Sequence, residues 1–67
     1  MDEMSWAKAD GTSAVVVEYK VIDGKERYTV AVMPCGSVLY PLRLEKRSQI
    51  ALVIDVLLEV LADTEEA

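Results

Sequence analysis

The sequence predicts an α+β fold, in which a three-stranded antiparallel meander is followed by one C-terminal helix packed on one face of the sheet (β-β-β-α). Three observations lead to this prediction. Residues 14–34 hold two β-branched runs around a tight-turn signal, residues 38–44 form a short alternating segment, and residues 48–62 form an apolar run with helical periodicity.

The segment of residues 14–34 carries the strongest local signal, a β-hairpin. Asp23-Gly24 separates its two runs, and this dipeptide favours the positive φ angles of a two-residue type I′ turn. With these two residues as the loop, the numbers of cross-strand partners add up to 47. One face of the hairpin then carries the pairs Val15–Val32, Val17–Val30, Tyr19–Tyr28 and Val21–Glu26.

Residues 38–44 (VLYPLRL) are predicted to form the third strand, with alternate residues from Val38 to Leu44 on one face. A loop of three residues, Cys35 to Ser37, keeps Tyr40 opposite Val32 on the apolar face. Pro41 lacks a backbone donor and therefore suits an edge strand. This order places the second strand, residues 25–34, in the centre of the sheet.

Residues 48–62 (SQIALVIDVLLEVLA) are predicted to form the helix, with Ser48 as its N-cap. A stripe at i, i+4, i+7 and i+11, namely Ile50, Ile54, Leu57 and Leu61, is expected to face the core. The whole apolar arc is wider, roughly 200° against the ~100° that one packed face requires. We therefore predict a dimer or partner interface at Val53, Val56, Leu58, Val60 and Leu61.

Length and composition also favour self-association. A chain of 67 residues makes one domain and buries only about 60% of its unfolded surface, yet 52% of its residues are hydrophobic. Cys35 is the only cysteine and there is no histidine, so an intrachain disulfide is impossible and metal ligands are few. Oligomerisation is the remaining common means of stabilising a domain this small. We expect a homodimer or a higher oligomer.

The domain is predicted to span residues 14–62, between an N-terminal tail (residues 1–13) and an acidic C-terminal tail (residues 63–67). Trp6 in the first tail either folds back onto the domain or is offered to a partner. Residues 1–13 have no apolar core segment typical of a signal peptide, and the lone cysteine suits a reducing compartment, so we expect a cytoplasmic protein.

Few chemistries are open to this sequence. Without histidine there is no Ser-His or Cys-His pair for nucleophilic catalysis, and there is no Gly-rich phosphate loop or metal-ligand spacing. Asp55, Glu59 and Asp63 form an acidic ridge at i, i+4 and i+8, which is typical of a solvated helix face. Asp55 and Glu59 also interrupt the apolar run, so a membrane span is not expected. We predict a protein without catalytic activity, cofactor or metal.

The sheet face turned away from the helix is the second candidate surface. Five cations on it or near it could contact an anion or a nucleic acid: Lys20, Arg27, Arg43, Lys46 and Arg47. Its apolar end carries Met33 and Leu39, which together with Trp6 are candidate partner-binding residues.

Two functional hypotheses follow. The first is a small acidic, non-catalytic protein-interaction module with a net charge of −5, acting as a homodimeric adaptor, regulator or inhibitor of another protein. The second is a single-stranded nucleic-acid-binding protein, because an antiparallel meander followed by a dimerising C-terminal helix is similar in topology to the PC4-like single-stranded DNA binders. That resemblance implies binding through the basic outer sheet face. The acidic net charge and the three tyrosines on the helix-covered face depart from such a binding surface.

Overall fold

The computed structural model describes residues 3–33 and 43–65. Within these two ranges, three strands form an antiparallel sheet in the order β1-β2-β3, and one C-terminal helix follows. The elements are β1 (Glu3–Ala9), β2 (Ala14–Ile22), β3 (Lys25–Met33) and α1 (Arg47–Thr64). The predicted α+β class, three antiparallel strands followed by a C-terminal helix, is confirmed.

The identity of the first strand differs from the prediction. Glu3–Ala9 was expected to belong to a tail, but it is strand β1 and pairs with β2, so that Trp6 lies opposite Val17. Strand β2 therefore occupies the centre of the described sheet, where β3 was expected. In the predicted third strand, residues 38–42 lie outside the described residues, and Arg43 and Leu44 have no regular secondary structure.

The turn between β1 and β2 is held by one aspartate. Asp10 Oδ1 accepts hydrogen bonds from the backbone N–H of Thr12 (3.0 Å), the Thr12 hydroxyl (2.9 Å) and the backbone N–H of Ser13 (2.9 Å). These donors lower the pKa of the Asp10 carboxyl because they stabilise its charged form. Gly11 has a φ of 91°, which a residue with a Cβ rarely adopts.

The β2–β3 hairpin has the predicted register throughout, with Val15 opposite Val32 and Ile22 opposite Lys25. Asp23 (φ 53°) and Gly24 (φ 77°) both have positive φ, as the type I′ turn requires. Because cross-strand partners have numbers that add up to 47, as predicted, the apolar pairs lie on one face. We call this face the inner face of the sheet.

Helix α1 packs on the inner face, over β1 and β2. The core between the two layers consists of side chains that are at most 8% exposed: Trp6, Val15, Val17, Val32, Leu52, Val56 and Val60. Valine dominates this core because β-branched side chains suit the pleated sheet and still fit the helix layer.

The helix is rotated relative to the prediction. The expected core stripe of Ile50, Ile54, Leu57 and Leu61 is exposed, and the sheet is contacted instead by a stripe that includes Leu52 and Val56. This second stripe begins at a polar residue, Gln49, which is 1% exposed.

Burial of Gln49 costs little because its amide has partners. Its Oε1 accepts the backbone N–H groups of Glu45 (2.6 Å) and Lys46 (3.1 Å), and its Nε2 donates to Ser13 Oγ (3.3 Å). The helix therefore begins at Arg47 with Lys46 as its N-cap residue, and the predicted cap Ser48 lies inside the first turn.

The helix also ends later than predicted. It continues to Thr64, whose hydroxyl donates to the Val60 carbonyl (2.7 Å). Asp63 is therefore a helical residue, and the predicted acidic tail at 63–67 is wrong for its first two residues.

Candidate protein-interaction surface

Helix α1 has three sides with different surroundings. One side is buried against the inner face of the sheet. A second side carries the acidic residues and is tied to β1. The third side is apolar, and its C-terminal part lies beside Tyr28 of β3, where the helix leaves the inner surface of the sheet open.

The acidic side is fixed by two contacts with β1. Trp6 Nε1–H donates to Asp63 Oδ2 at 2.7 Å, and Lys8 Nζ lies 3.1 Å from Glu59 Oε2. The Lys8–Glu59 pair is exposed (side chains 40% and 50%) and contributes at most about 1 kcal/mol. Two of the three acidic-ridge residues thus hold the helix in its rotation on the sheet.

The apolar side forms a continuous exposed stripe, which we call the apolar flank. Its members are separated by three or four residues, so they are neighbours on the helix surface. They are Ile50 (46% exposed), Ile54 (53%), Leu57 (39%), Leu58 (60%) and Leu61 (67%).

A groove of about 280 Å³ lies beside the apolar flank, between the C-terminal half of α1 and β3. It is lined by Leu57, Val60, Leu61 and Thr64 from the helix and by Tyr28 from β3. The Tyr28 ring packs on the ring of its cross-strand partner Tyr19, with centroids 4.9 Å apart, and is still 47% exposed. The flank and the groove therefore form one apolar surface with an aromatic residue at its edge.

The predicted interface residues divide between this surface and the core. Val56 is fully buried and Val60 is 6% exposed, so both belong to the core, and Val60 also lines the groove. Val53 is half-buried and packs against the core. Leu58 is exposed, and so is Leu61, which the prediction placed both in the core stripe and in the interface.

Three flank residues were missed by the prediction: Ile50, Ile54 and Leu57. They were assigned to the core because their i, i+4, i+7 spacing is as regular as that of the residues actually buried. The polar residues next to each stripe could have distinguished the two. The stripe beginning at Gln49 runs beside Glu59 and Asp63, which contact Lys8 and Trp6 of β1 when this stripe faces the sheet.

The three candidate partner-binding residues lie in different environments. Trp6 is 8% exposed in the core and is not available to a partner. Met33 is 47% exposed on the outer sheet face, where it lines a shallow depression with Val16 and Ala31. Leu39 lies outside the described residues.

The five predicted cations do not form one patch. Lys20 and Arg27 are cross-strand neighbours on the outer face, close to the β2–β3 turn. Lys46 and Arg47 lie at the start of α1 on the inner side, near Ser13, which precedes β2. About seven strand residues, or roughly 23 Å, separate the two pairs along β2. Arg43 is exposed.

Within residues 3–33 and 43–65, no three His, Cys, Asp or Glu side chains are grouped so that they could hold a metal ion. The described part of the chain has no helix with the length and apolar character needed to cross a membrane. Comparisons with protein families, with curated proteins and with solved structures find no match.

Proposed function

We propose that this chain is a small acidic protein-interaction module, an adaptor, regulator or inhibitor, which binds through the apolar flank and the adjacent Tyr28 groove and also self-associates. The supporting observation is the apolar flank itself, five large aliphatic side chains on one helix side, each at least 39% exposed. Single exposed hydrophobic residues are ordinary, but a contiguous apolar stripe is typical of a binding site.

The chemistry of the surface supports a protein partner. Among the residues that line the groove, the side-chain polar atoms are the hydroxyls of Tyr28 and Thr64. Such a groove suits aliphatic and aromatic side chains, which occupy the centre of protein interfaces. A tyrosine at the edge of an aliphatic surface is also typical of the residues that dominate binding energy.

A non-catalytic role is part of this proposal. The sequence has no histidine, and the flank and groove contain no carboxylate, amine or thiol that could transfer a proton or attack a substrate. We therefore propose that the flank and groove bind a partner and do not catalyse a reaction.

The nucleic-acid hypothesis has less support from the geometry, because the two cation pairs lie on opposite sides of the sheet. It predicts oligonucleotide binding that strengthens as salt is lowered and weakens in a Lys20→Ala/Arg27→Ala variant. No binding of a single-stranded oligonucleotide at low salt would remove it.

Site-specific photo-crosslinking in the native cells tests the interaction proposal. We expect benzoylphenylalanine at position 58, in the flank, to form adducts with protein, and the same group at position 29, exposed on the outer face, to form few. The variant Leu61→Lys should abolish the adducts at position 58 without changing the circular dichroism spectrum, since Leu61 is 67% exposed. No adduct at position 58, or equal adducts at both positions, would contradict the proposal.

A further inference from the structure

We infer that the apolar flank binds the same flank of a second copy of this chain, with the two α1 helices antiparallel about a two-fold axis that passes level with Asp55 and Val56. This inference rests on the proposed function, because it names the occupant of the proposed interaction surface.

The spacing of the flank residues is self-complementary. Ile50, Ile54, Leu57 and Leu61 are separated by four, three and four residues, a pattern that is the same in both directions along the helix. In a two-fold interface, residue i contacts residue j of the other copy and j contacts i. An antiparallel pair in which opposing numbers add up to 111 places each Ile50 against Leu61 and each Ile54 against Leu57 of the second copy.

The alternation of four and three residues also matches the spacing of an a/d seam. Two helices pack along such a seam when apolar residues recur every 3.5 residues on average. Leu58 lies beside this seam and is 60% exposed, so it extends the contact on the side turned away from the sheet.

Charge at the two ends of α1 favours the antiparallel arrangement. Lys46 and Arg47 flank the start of the helix, and Glu65 follows its last residue. The same register places Lys46 opposite Glu65 of the second copy, whereas a parallel pair would place the cations of both copies together. Antiparallel helices also bring opposite ends of their macrodipoles together.

The position of the flank on the fold suits this arrangement. Leu57 and Leu61 of the flank line the groove beside Tyr28 of β3, and α1 packs over β1 and β2. A second helix beside α1 would therefore lie along the open groove, where the exposed edge of Tyr28 can contact it. The acidic side of α1 remains on β1 and stays outside the contact.

Cysteine cross-linking tests both the occupant and the register. In a Cys35→Ser background, Ile50→Cys and Leu61→Cys are made as separate proteins, and each is oxidised alone and as an equimolar mixture. We expect the mixture to form the 50–61 disulfide at least tenfold more than either protein alone forms a disulfide-linked dimer. Glu18→Cys, on the outer sheet face, is the matched control and should form little dimer under any of these conditions.

Sedimentation analysis of the unmodified chain accompanies the cross-linking. We expect a monomer–dimer equilibrium that Leu61→Lys weakens at least tenfold. Efficient 50–50 or 61–61 disulfides would overturn the antiparallel register, and a monomer at all concentrations would overturn the dimer.

The outcomes also separate this inference from the proposed function. A monomeric chain whose position 58 cross-links to a different protein would leave the proposed function intact and assign the flank to that partner. A monomeric chain without adducts, in which Leu61→Lys lowers the free energy of unfolding, would contradict both and assign the flank to residues 34–42 of the same chain.

Discussion

Trp6 shows at the residue scale how a side chain that could anchor a partner serves the fold instead. It lies opposite Val17 in the sheet, is 8% exposed, and bonds to Asp63, 57 residues later in the chain. Its indole covers the core and its N–H needs an acceptor when it is buried. This single contact joins the first strand to the last turn of the helix.

The Trp6–Asp63 hydrogen bond predicts a specific loss of stability. Asp63→Ala should lower the free energy of unfolding by about 1 kcal/mol, below the usual range for bonds to charged groups because Asp63 is exposed. Asp63→Asn, which keeps an acceptor oxygen, should lose less. Urea unfolding followed by Trp6 fluorescence measures both. Asp55→Ala, which removes an acid from the same ridge, is the control and should change stability by less than about 0.5 kcal/mol.

Asp10 predicts a pH dependence in the acid range. Hydrogen bonds from Thr12 and Ser13 lower the pKa of its carboxyl below the ordinary 3.8. A carboxyl with a depressed folded-state pKa adds stability that is fully present above its unfolded pKa and is lost as the pH falls through the folded pKa. We expect the stability difference between the unmodified chain and Asp10→Asn to shrink below pH 3.8. A difference that stays constant down to pH 2 would contradict this role.

Helix α1 shows at the element scale why periodicity alone did not select a buried face. Its residues include two regular apolar stripes, one through Leu52 and Val56 and one through Ile54 and Leu57. Either stripe has enough apolar surface to cover the sheet. The observed rotation gives the Gln49 amide its hydrogen-bond partners and pairs Asp63 and Glu59 with Trp6 and Lys8 of β1, contacts that the other rotation would lose.

The rotation of α1 can be tested by truncating one residue from each stripe. Val56→Ala should lower the free energy of unfolding by about 2 kcal/mol, because Val56 is fully buried and its truncation leaves a cavity. Ile54→Ala removes more atoms but should cost less than about 1 kcal/mol in the monomer, because Ile54 is 53% exposed. Chemical denaturation at low protein concentration measures both, and the reverse order of effects would show that the helix faces the sheet by its other stripe.

At the scale of the whole molecule, one helix covers two of the three described strands. The inner surface of β3 beside Tyr28 is left open, next to a helix side that is apolar. A small domain has little interior and is correspondingly marginal. Burial of this surface in a complex would therefore add to stability as well as provide binding.

The proposed dimer predicts that stability depends on protein concentration. Ligands and partners that bind only the folded state raise the melting temperature by mass action. We expect the melting temperature of the unmodified chain to rise between about 1 μM and 1 mM, and that of Leu61→Lys to stay constant. Scanning calorimetry or circular dichroism over this range measures the effect, and parallel behaviour of the two proteins would contradict the dimer.

Local chemistry determined the β2–β3 hairpin completely. Asp23-Gly24 prescribes a two-residue turn, and a turn of known length prescribes every cross-strand pair, so the sequence alone was sufficient for the register and the inner face. Strand β1 was predictable in principle, since Asp10-Gly11-Thr12-Ser13 is a four-residue hairpin loop. It was missed because only Met4 and Trp6 mark its buried side.

The sequence by itself determined the fold class, the hairpin register and the excess of apolar helix surface, but not which segment forms the third strand of the sheet. Only the tertiary structure decided which helix face is buried and hence which residues remain for a partner. The physical reason is that a hairpin is specified by neighbours in sequence, whereas the rotation of α1 depends on hydrogen bonds that Gln49 donates to Ser13 and that Asp63 accepts from Trp6, residues distant from the helix in sequence.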